Sequence, residues 1–157
     1  MQDVEVTGAE ELEQVYCEHG ARLWRAVFAF SGDREVASDA VAEAFAQALH
    51  RGSAIRSPAA WVWRAAFRIA AGELKDRRRS APGENERSYD DPEEAGVLMD
   101  GLARLSSRQR GAIVLHYYGG YRVKEIARIL GSTPAAVKVH LSRGRKRLRQ
   151  LLESSDE

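Results

Sequence analysis

VKEIARILGSTPAAVKVHLSRGRKRLRQLL, residues Val123 to Leu152, spells out a short amphipathic helix, a tight turn and a long amphipathic helix. Val123, Ile126, Ala127 and Leu130 recur at helical spacing and form one apolar face. Gly131 stops that helix, and Ser132-Thr133-Pro134 restarts the chain with a capping hydroxyl and a proline suited to the first helical position. In the second helix Val137, Leu141, Gly144, Leu148 and Leu151 point inward, leaving Lys138, His140, Ser142, Arg143, Arg145 and Lys146 outside. Helix, short turn, helix is the helix-turn-helix arrangement, and a basic second helix of this kind fits the major groove of B-DNA. Upstream, Leu102 and Leu105 precede Ser106-Ser107-Arg108-Gln109, a capping box that opens another helix with Ile113, Val114, Leu115 and Tyr117 on its apolar side, closed by Gly119-Gly120.

Further upstream, SAPGENERSYDDPEEAG, residues 80–96, is rich in Pro, Gly, Ser and acids and poor in apolar residues, the composition of a flexible linker. The residues before it read as three helices. Leu12, Tyr16, Leu23, Val27 and Phe30 make one apolar line, closed by Gly32-Asp33. Val36, Ala37, Ala40, Val41, Ala44, Phe45, Ala48 and Leu49 make a second, with Asp39, Glu43 and Gln47 four apart on another face. The third starts at Ser57-Pro58, carries Trp61, Ala65, Ile69 and Leu74 as its stripe, and runs into the cluster Lys75-Asp76-Arg77-Arg78-Arg79. No stretch alternates as a strand does. The expected fold is therefore all-α: two small helical domains, residues 1–79 and 97–157, joined by a flexible acidic linker at 80–96, the second a helix-turn-helix.

The 157 residues have a net charge of only +1, which conceals a strong segregation. Residues 1–50 sum to −7, 51–79 to +6, 80–103 to −6 and 104–152 to +11, the last with Glu125 as its single acid. Two basic blocks separated by acidic ones attract a polyanion at two places and leave acidic faces for a basic partner. Aromatic rings beside arginines, as at Trp61 and Trp63, suit unpaired bases as well as a core. No run approaches the roughly 18 apolar residues of a membrane span. The start MQDVEVTGAEELEQ has acids where a secretory leader carries basic and then apolar residues, so a cytoplasmic location is expected. A single cysteine, Cys17, excludes an internal disulfide framework and is expected as a small buried hydrophobe. His19, His50, His116 and His140 are scattered, and the acid pairs Asp90-Asp91 and Glu93-Glu94 fall in the linker, so neither a catalytic constellation nor a metal or cofactor site is expected.

Taken in order, these motifs resemble the extracytoplasmic-function (ECF) group of bacterial RNA polymerase sigma factors over nearly the whole chain. GDREVASDAVAEAFAQAL (32–49) is similar to the family's polymerase-binding helix, PAAWVWRAAFRIAAGELKDRRR (58–79) to its promoter-melting helix, and residues 102–152 to its domain for the minus-35 element. The last match is the most specific, because the LxxLxxRQR opening, the EIAxxLG helix and the VKxxLxRxRxRLR tail occur together. The resemblance implies that residues 1–79 are sigma region 2 and residues 97–157 sigma region 4.

It further implies that Asp39, Val41, Glu43 and Phe45 dock on the clamp helices of the polymerase β′ subunit. Trp61, Arg64, Arg68, Lys75, Arg77 and Arg78 would line the opened minus-10 element. Arg122, Lys124, Ala135, Ala136, Lys138, His140, Arg143 and Arg145 would face the minus-35 duplex. Core polymerase, through its β′ clamp helices and β flap, promoter DNA and an anti-sigma factor are the partners implied. Where the family commonly has Leu, Gln, Asn, Asp, Thr and Ser, this chain has Ala40, Ala42, Arg68, Gly72, Ala136 and Val139, so the family's promoter sequence does not carry over. A helix-turn-helix regulator that binds duplex DNA without polymerase is the alternative reading of the same residues.

Overall fold

The computed structural model describes residues 2–80 and 93–156; most of the expected linker lies outside them. Every described element is helical. Helix α1, Gln2–Ser31, ends at Gly32, whose φ of 70° favours glycine. Asp33 then caps α2, Arg34–Arg51, its carboxylate accepting from the Val36 N–H at 3.1 Å. Helix α3, Pro58–Ser80, follows, with the Ser57 carbonyl accepting from the Trp61 N–H at 3.0 Å. After the linker come α4, Glu93–Arg104, and α5, Ser107–Ile113, whose expected capping box forms between Ser106 and Gln109. A π-helical turn, Val114–Tyr118, continues α5, and α6, Val123–Leu130, and α7, Pro134–Ser155, complete the chain.

The core of α1–α3 contains Leu23, Val27, Phe30, Val36, Val62 and Phe67, and the turn of α6–α7 closes over Ile126, Val137 and Leu141. Gly131 at φ 63° and the Thr133 cap on the Ala136 N–H (3.2 Å) form that turn as the sequence indicates. Gly144 lets α7 approach α5 closely: a Cβ there would meet Ile113 Cγ1 at 3.1 Å. Helix α4 begins at Glu93, inside the expected linker, and packs on α7 through Gly101, where a Cβ would meet Leu148 Cδ1 at 2.9 Å.

Some apolar positions differ from expectation. On α3 the buried side is Val62, Trp63, Ala65, Ala66, Phe67 and Ala70, whereas Trp61, Ile69 and Leu74 are half-buried. The buried arc is wider and turned because α3 packs on α1 and α2 and also on α6. Ile129 of α6, outside the expected apolar face, is buried too. Tyr16 and Leu49, read as core, are 59% and 60% exposed, and Cys17 is exposed rather than buried. Tyr16 lies over Gly20 with its ring edge-on to Phe45 at 5.1 Å, a surface contact between α1 and α2.

The halves on either side of the linker pack against each other. Helix α1 meets α4, α5 and the π turn, and α3 meets α6, so buried apolar residues run continuously from one half into the other.

Candidate polymerase and nucleic-acid surfaces

Helix geometry sorts the candidate residues. On α2, Asp39 and Glu43 are exposed one turn apart, and Gln47 donates to the Glu43 carboxylate at 3.0 Å. Phe45 is half-buried beneath Tyr16. Val41 is only 6% exposed: a residue two positions from both acids points to the opposite side of a helix, so its side chain belongs to the core and not to the docking face. Tyr16 and Leu49 supply exposed apolar surface next to Phe45, round the helix from the two acids, a feature hidden from sequence because both sit on helical apolar repeats.

On α3, Trp61, Arg64, Arg68 and Lys75 fall within one narrow stripe about 21 Å long. The three cations are exposed, and the half-buried Trp61 ring has the Arg51 guanidinium 5.6 Å from its centre. Arg77 lies on the other side of the helix. Its guanidinium bonds the Asp33 carboxylate at 2.6 Å and approaches Glu73 at 3.6 Å and Glu35 at 3.9 Å, clamping α3 to the α1–α2 turn. Burial opposes the charge on Arg77, but its hydrogen bond to the Asp33 carboxylate and the charges of Asp33, Glu73 and Glu35 outweigh it and hold its pKa above the ordinary value. Burial also raises the Glu73 carboxyl, against the lowering effect of Arg77. Arg77 is thus neutralised within the protein, and geometry separates it from the other α3 cations. The Arg78 side chain lies outside the described residues. Trp63, with 2% exposure, is core: it stacks on Phe67 at 6.3 Å and meets Tyr121 at 5.4 Å.

In the second half, α7 turns Val137, Leu141 and Gly144 inward and carries Ala135, Lys138, Val139, Ser142, Arg145 and Lys146 on its outer side. Ala136 and Arg143 flank that side, and half-exposed His140 lies nearer the core. Val139 is 45% exposed at the centre of the outer face, an apolar side chain that a search for cations passes over. Arg122 and Lys124 are exposed at the start of α6, where Glu125 accepts from the Arg122 N–H at 3.2 Å. The Arg145 guanidinium donates to the Tyr117 hydroxyl at 3.0 Å, and the Tyr117 ring packs edge-on against His116 at 4.9 Å. His116 Nδ1 is 3.1 Å from the Tyr121 carbonyl. Burial, reinforced by Glu125 and opposed by Arg22, pushes the Tyr121 hydroxyl up to about 12.

Among the described residues no group of three or more His, Cys, Asp or Glu side chains is placed to hold a metal, and no helix is long and apolar enough to cross a membrane. The geometry offers an acidic face on α2 with exposed apolar surface round the helix from it, a cationic and aromatic stripe on α3, and a cationic helix at the end of a helix-turn-helix.

The family model described as Sigma-70, region 4 matches residues 96–148. The chain is 31% identical over 161 residues to the ECF RNA polymerase sigma factor SigL of Mycobacterium tuberculosis, covering 90% of this chain and 89% of that one. It is 31% identical over 150 residues to the ECF RNA polymerase sigma factor SigM of the same species, covering 89% and 76%. Among solved structures, the sigma factor RpoE of Bartonella quintana, in complex with the anti-sigma factor NepR, superposes with a TM-score of 0.76 at 24% identity, covering 92% of this chain and 96% of that one.

Proposed function

The chain belongs to the ECF group of RNA polymerase sigma factors, which bind core polymerase and direct it to promoters, and on that premise we propose how its surfaces divide the work. Residues 1–79 act as sigma region 2 and residues 97–157 as region 4. Asp39, Glu43 and Phe45, extended by Tyr16 and Leu49, dock on the β′ clamp helices, while region 4 meets the β flap. The acidic pair attracts a basic partner, and the exposed Tyr16 ring and Leu49 supply apolar area to bury.

Trp61, Arg64, Arg68 and Lys75 hold the unpaired strand of the minus-10 element. Melting succeeds only if the separated bases are trapped, and a ring beside a row of cations stacks one base while holding several phosphates. Arg77 steadies α3 from behind. The minus-35 element stays double-stranded, and α7 reads it from the major groove. Lys138, Arg143 and Arg145 contact phosphates or guanine edges, Ala135, Ala136 and Val139 meet thymine methyls, His140 lies at the margin, and Arg122 and Lys124 anchor the backbone. The chemistry of RNA synthesis belongs to the polymerase, so this chain is not itself an enzyme, and it works in the cytoplasm. An anti-sigma factor is a fitting further partner, since the similar RpoE was solved bound to one.

The observation that carries this reading is the coexistence, in one chain, of the acidic α2 face, the α3 stripe and the basic helix-turn-helix. A regulator needs only the last. Two double variants test it: Asp39→Lys with Glu43→Lys loses affinity for core polymerase and keeps minus-35 duplex binding, and Arg143→Ala with Arg145→Ala does the reverse. If both pairs lose duplex binding and retain polymerase binding equally, the division of surfaces is wrong.

A further inference from the structure

Glycine weakens the interior of a helix, so a helical glycine needs a reason. In this chain the reason is usually packing. An added Cβ would stand 2.9 Å from Leu148 Cδ1 at Gly101, 3.1 Å from Leu130 Cδ2 at Gly111 and 3.1 Å from Ile113 Cγ1 at Gly144, so in each case a side chain of another helix occupies the space. Gly72 is different. It lies in the interior of α3, is exposed and has no positive φ, and an added Cβ there would meet nothing within 4 Å. Among the described helical glycines only Gly96, at the start of α4, is equally open. Neither backbone conformation nor packing within the free chain accounts for Gly72.

Its surroundings are the cationic stripe. At about 100° per residue, Gly72 falls about 20° from Trp61, 40° from Arg68 and 60° from Lys75 around the helix. The same phase carries the row on to Arg79, which is exposed and in line with Trp61. At a rise of 1.5 Å per residue, Arg64 and Arg68 stand about 6 Å apart along the axis, as do Lys75 and Arg79, whereas Arg68 and Lys75 are about 10.5 Å apart. Gly72 lies in that wider gap. Its Cα, about 2.3 Å from the helix axis, marks the surface there, while side chains elsewhere carry the cylinder out to about 5–6 Å.

We propose that Gly72 seats one unpaired nucleotide of the opened strand, its sugar and base packed against the α3 backbone while Arg68 and Lys75 hold the phosphates on either side. The seat rests on the sigma-factor reading above and places the closest approach of the strand at Gly72. A strand tethered through its phosphates needs room where a base turns toward the protein, and a residue without Cβ supplies that room down to the backbone. Glycine brings no side-chain donor or acceptor, and mid-helix amides are already bonded within the helix, so the seat selects by shape and not by base identity. Arg79 joins Arg64, Arg68 and Lys75 as a phosphate contact, in place of the neutralised Arg77.

The test replaces Gly72 by Ala and by Leu in the full chain. The two residues favour a helix almost equally and differ in how much of the gap they fill. Thermal unfolding followed by circular dichroism should show Tm rising by about 2–4 °C in each variant, since the helix gains and nothing in the free chain is displaced. Binding is measured with core polymerase carrying each variant, on a promoter fragment selected by run-off transcription with wild type and mismatched across its minus-10 segment so that the strands are already apart. The expected result is a loss of affinity of several-fold for Gly72→Ala and about tenfold or more for Gly72→Leu, the cost of unseating one base. Equal losses for the two variants would assign the effect to a stiffer helix, and wild-type binding by Gly72→Leu would show that no strand approaches there; either overturns the seat. A fall in Tm for Gly72→Ala also overturns it, by placing the role of the glycine within the fold. If wild type yields no starts with core polymerase, the sigma-factor reading fails and the seat with it, whereas starts with wild type and undiminished binding by Gly72→Leu overturn the seat alone.

Discussion

Replacing Arg110 by Met removes the guanidinium and keeps an apolar stem of similar length. In the structure that guanidinium donates to the Phe30 carbonyl at 2.5 Å and, more weakly, to the Leu105 and Ala103 carbonyls at 3.3 and 3.4 Å. Losing a hydrogen bond from a charged donor to a buried carbonyl costs about 1.5–3 kcal/mol, because the acceptor stays buried without a partner. With the short bond at the upper end of that range and the two long ones contributing little, the variant should lose about 3–4 kcal/mol. For a chain of this size each kcal/mol lowers Tm by about 2–4 °C, which gives a drop of about 10 °C. Thermal unfolding followed by circular dichroism measures it. Arg110→Lys, whose ammonium can serve one carbonyl but not all three, should fall between Met and wild type. A drop below about 2 °C for Arg110→Met would refute the claim that this side chain ties the halves together.

Tyr121, held at about 12, ionises in the unfolded chain near the ordinary value of 10 while the folded chain stays protonated. The unfolded state therefore sheds protons first, and the stability Tyr121 contributes is complete below pH 10 and is lost as pH rises through 10 toward 12. In a spectrophotometric titration a late tyrosine step near pH 12 is expected, and Tyr121→Phe should abolish it; a late step that survives the substitution contradicts the assignment. Tyr117→Phe removes only the hydroxyl that accepts from Arg145. It should weaken minus-35 duplex binding a few-fold in the wild type and not at all in Arg145→Ala, and an equal loss in both backgrounds would show that Tyr117 does not position Arg145.

The punctuation of the chain was legible because it is local chemistry. Gly32-Asp33, Ser106 with Gln109, and Gly131 with Thr133-Pro134 each act within a few residues, and each does what its residue types require. Helix α4 was not legible: its residues 93–96 resemble linker, and the helix is held by α7 through Gly101 and Leu148, a contact distant in sequence. The same holds for the inner side of α3. Periodicity identifies an amphipathic helix but cannot say how many neighbours it has, so burial of Trp63, Ala66 and Ala70 depends on the arrival of α6. At the candidate site the cations of α7 were legible from alternation with Val137, Leu141 and Gly144. The separation of Arg77 from Arg64 and Arg68 follows from helical phase, yet its capture by Asp33, Glu35 and Glu73 requires the turn between α1 and α2 to be folded against α3. The π turn has no sequence signature beyond Gly119.

Recruiting polymerase and opening DNA at chosen sites are the two steps proposed for this one chain. Run-off transcription with purified core polymerase on a pool of promoter fragments, reading the 5′ ends of the products, tests both steps together. The expected result is specific starts that appear only when the protein is added and that share two sequence elements upstream. Tight duplex binding by the protein alone, with no new starts in the presence of core polymerase, would contradict it.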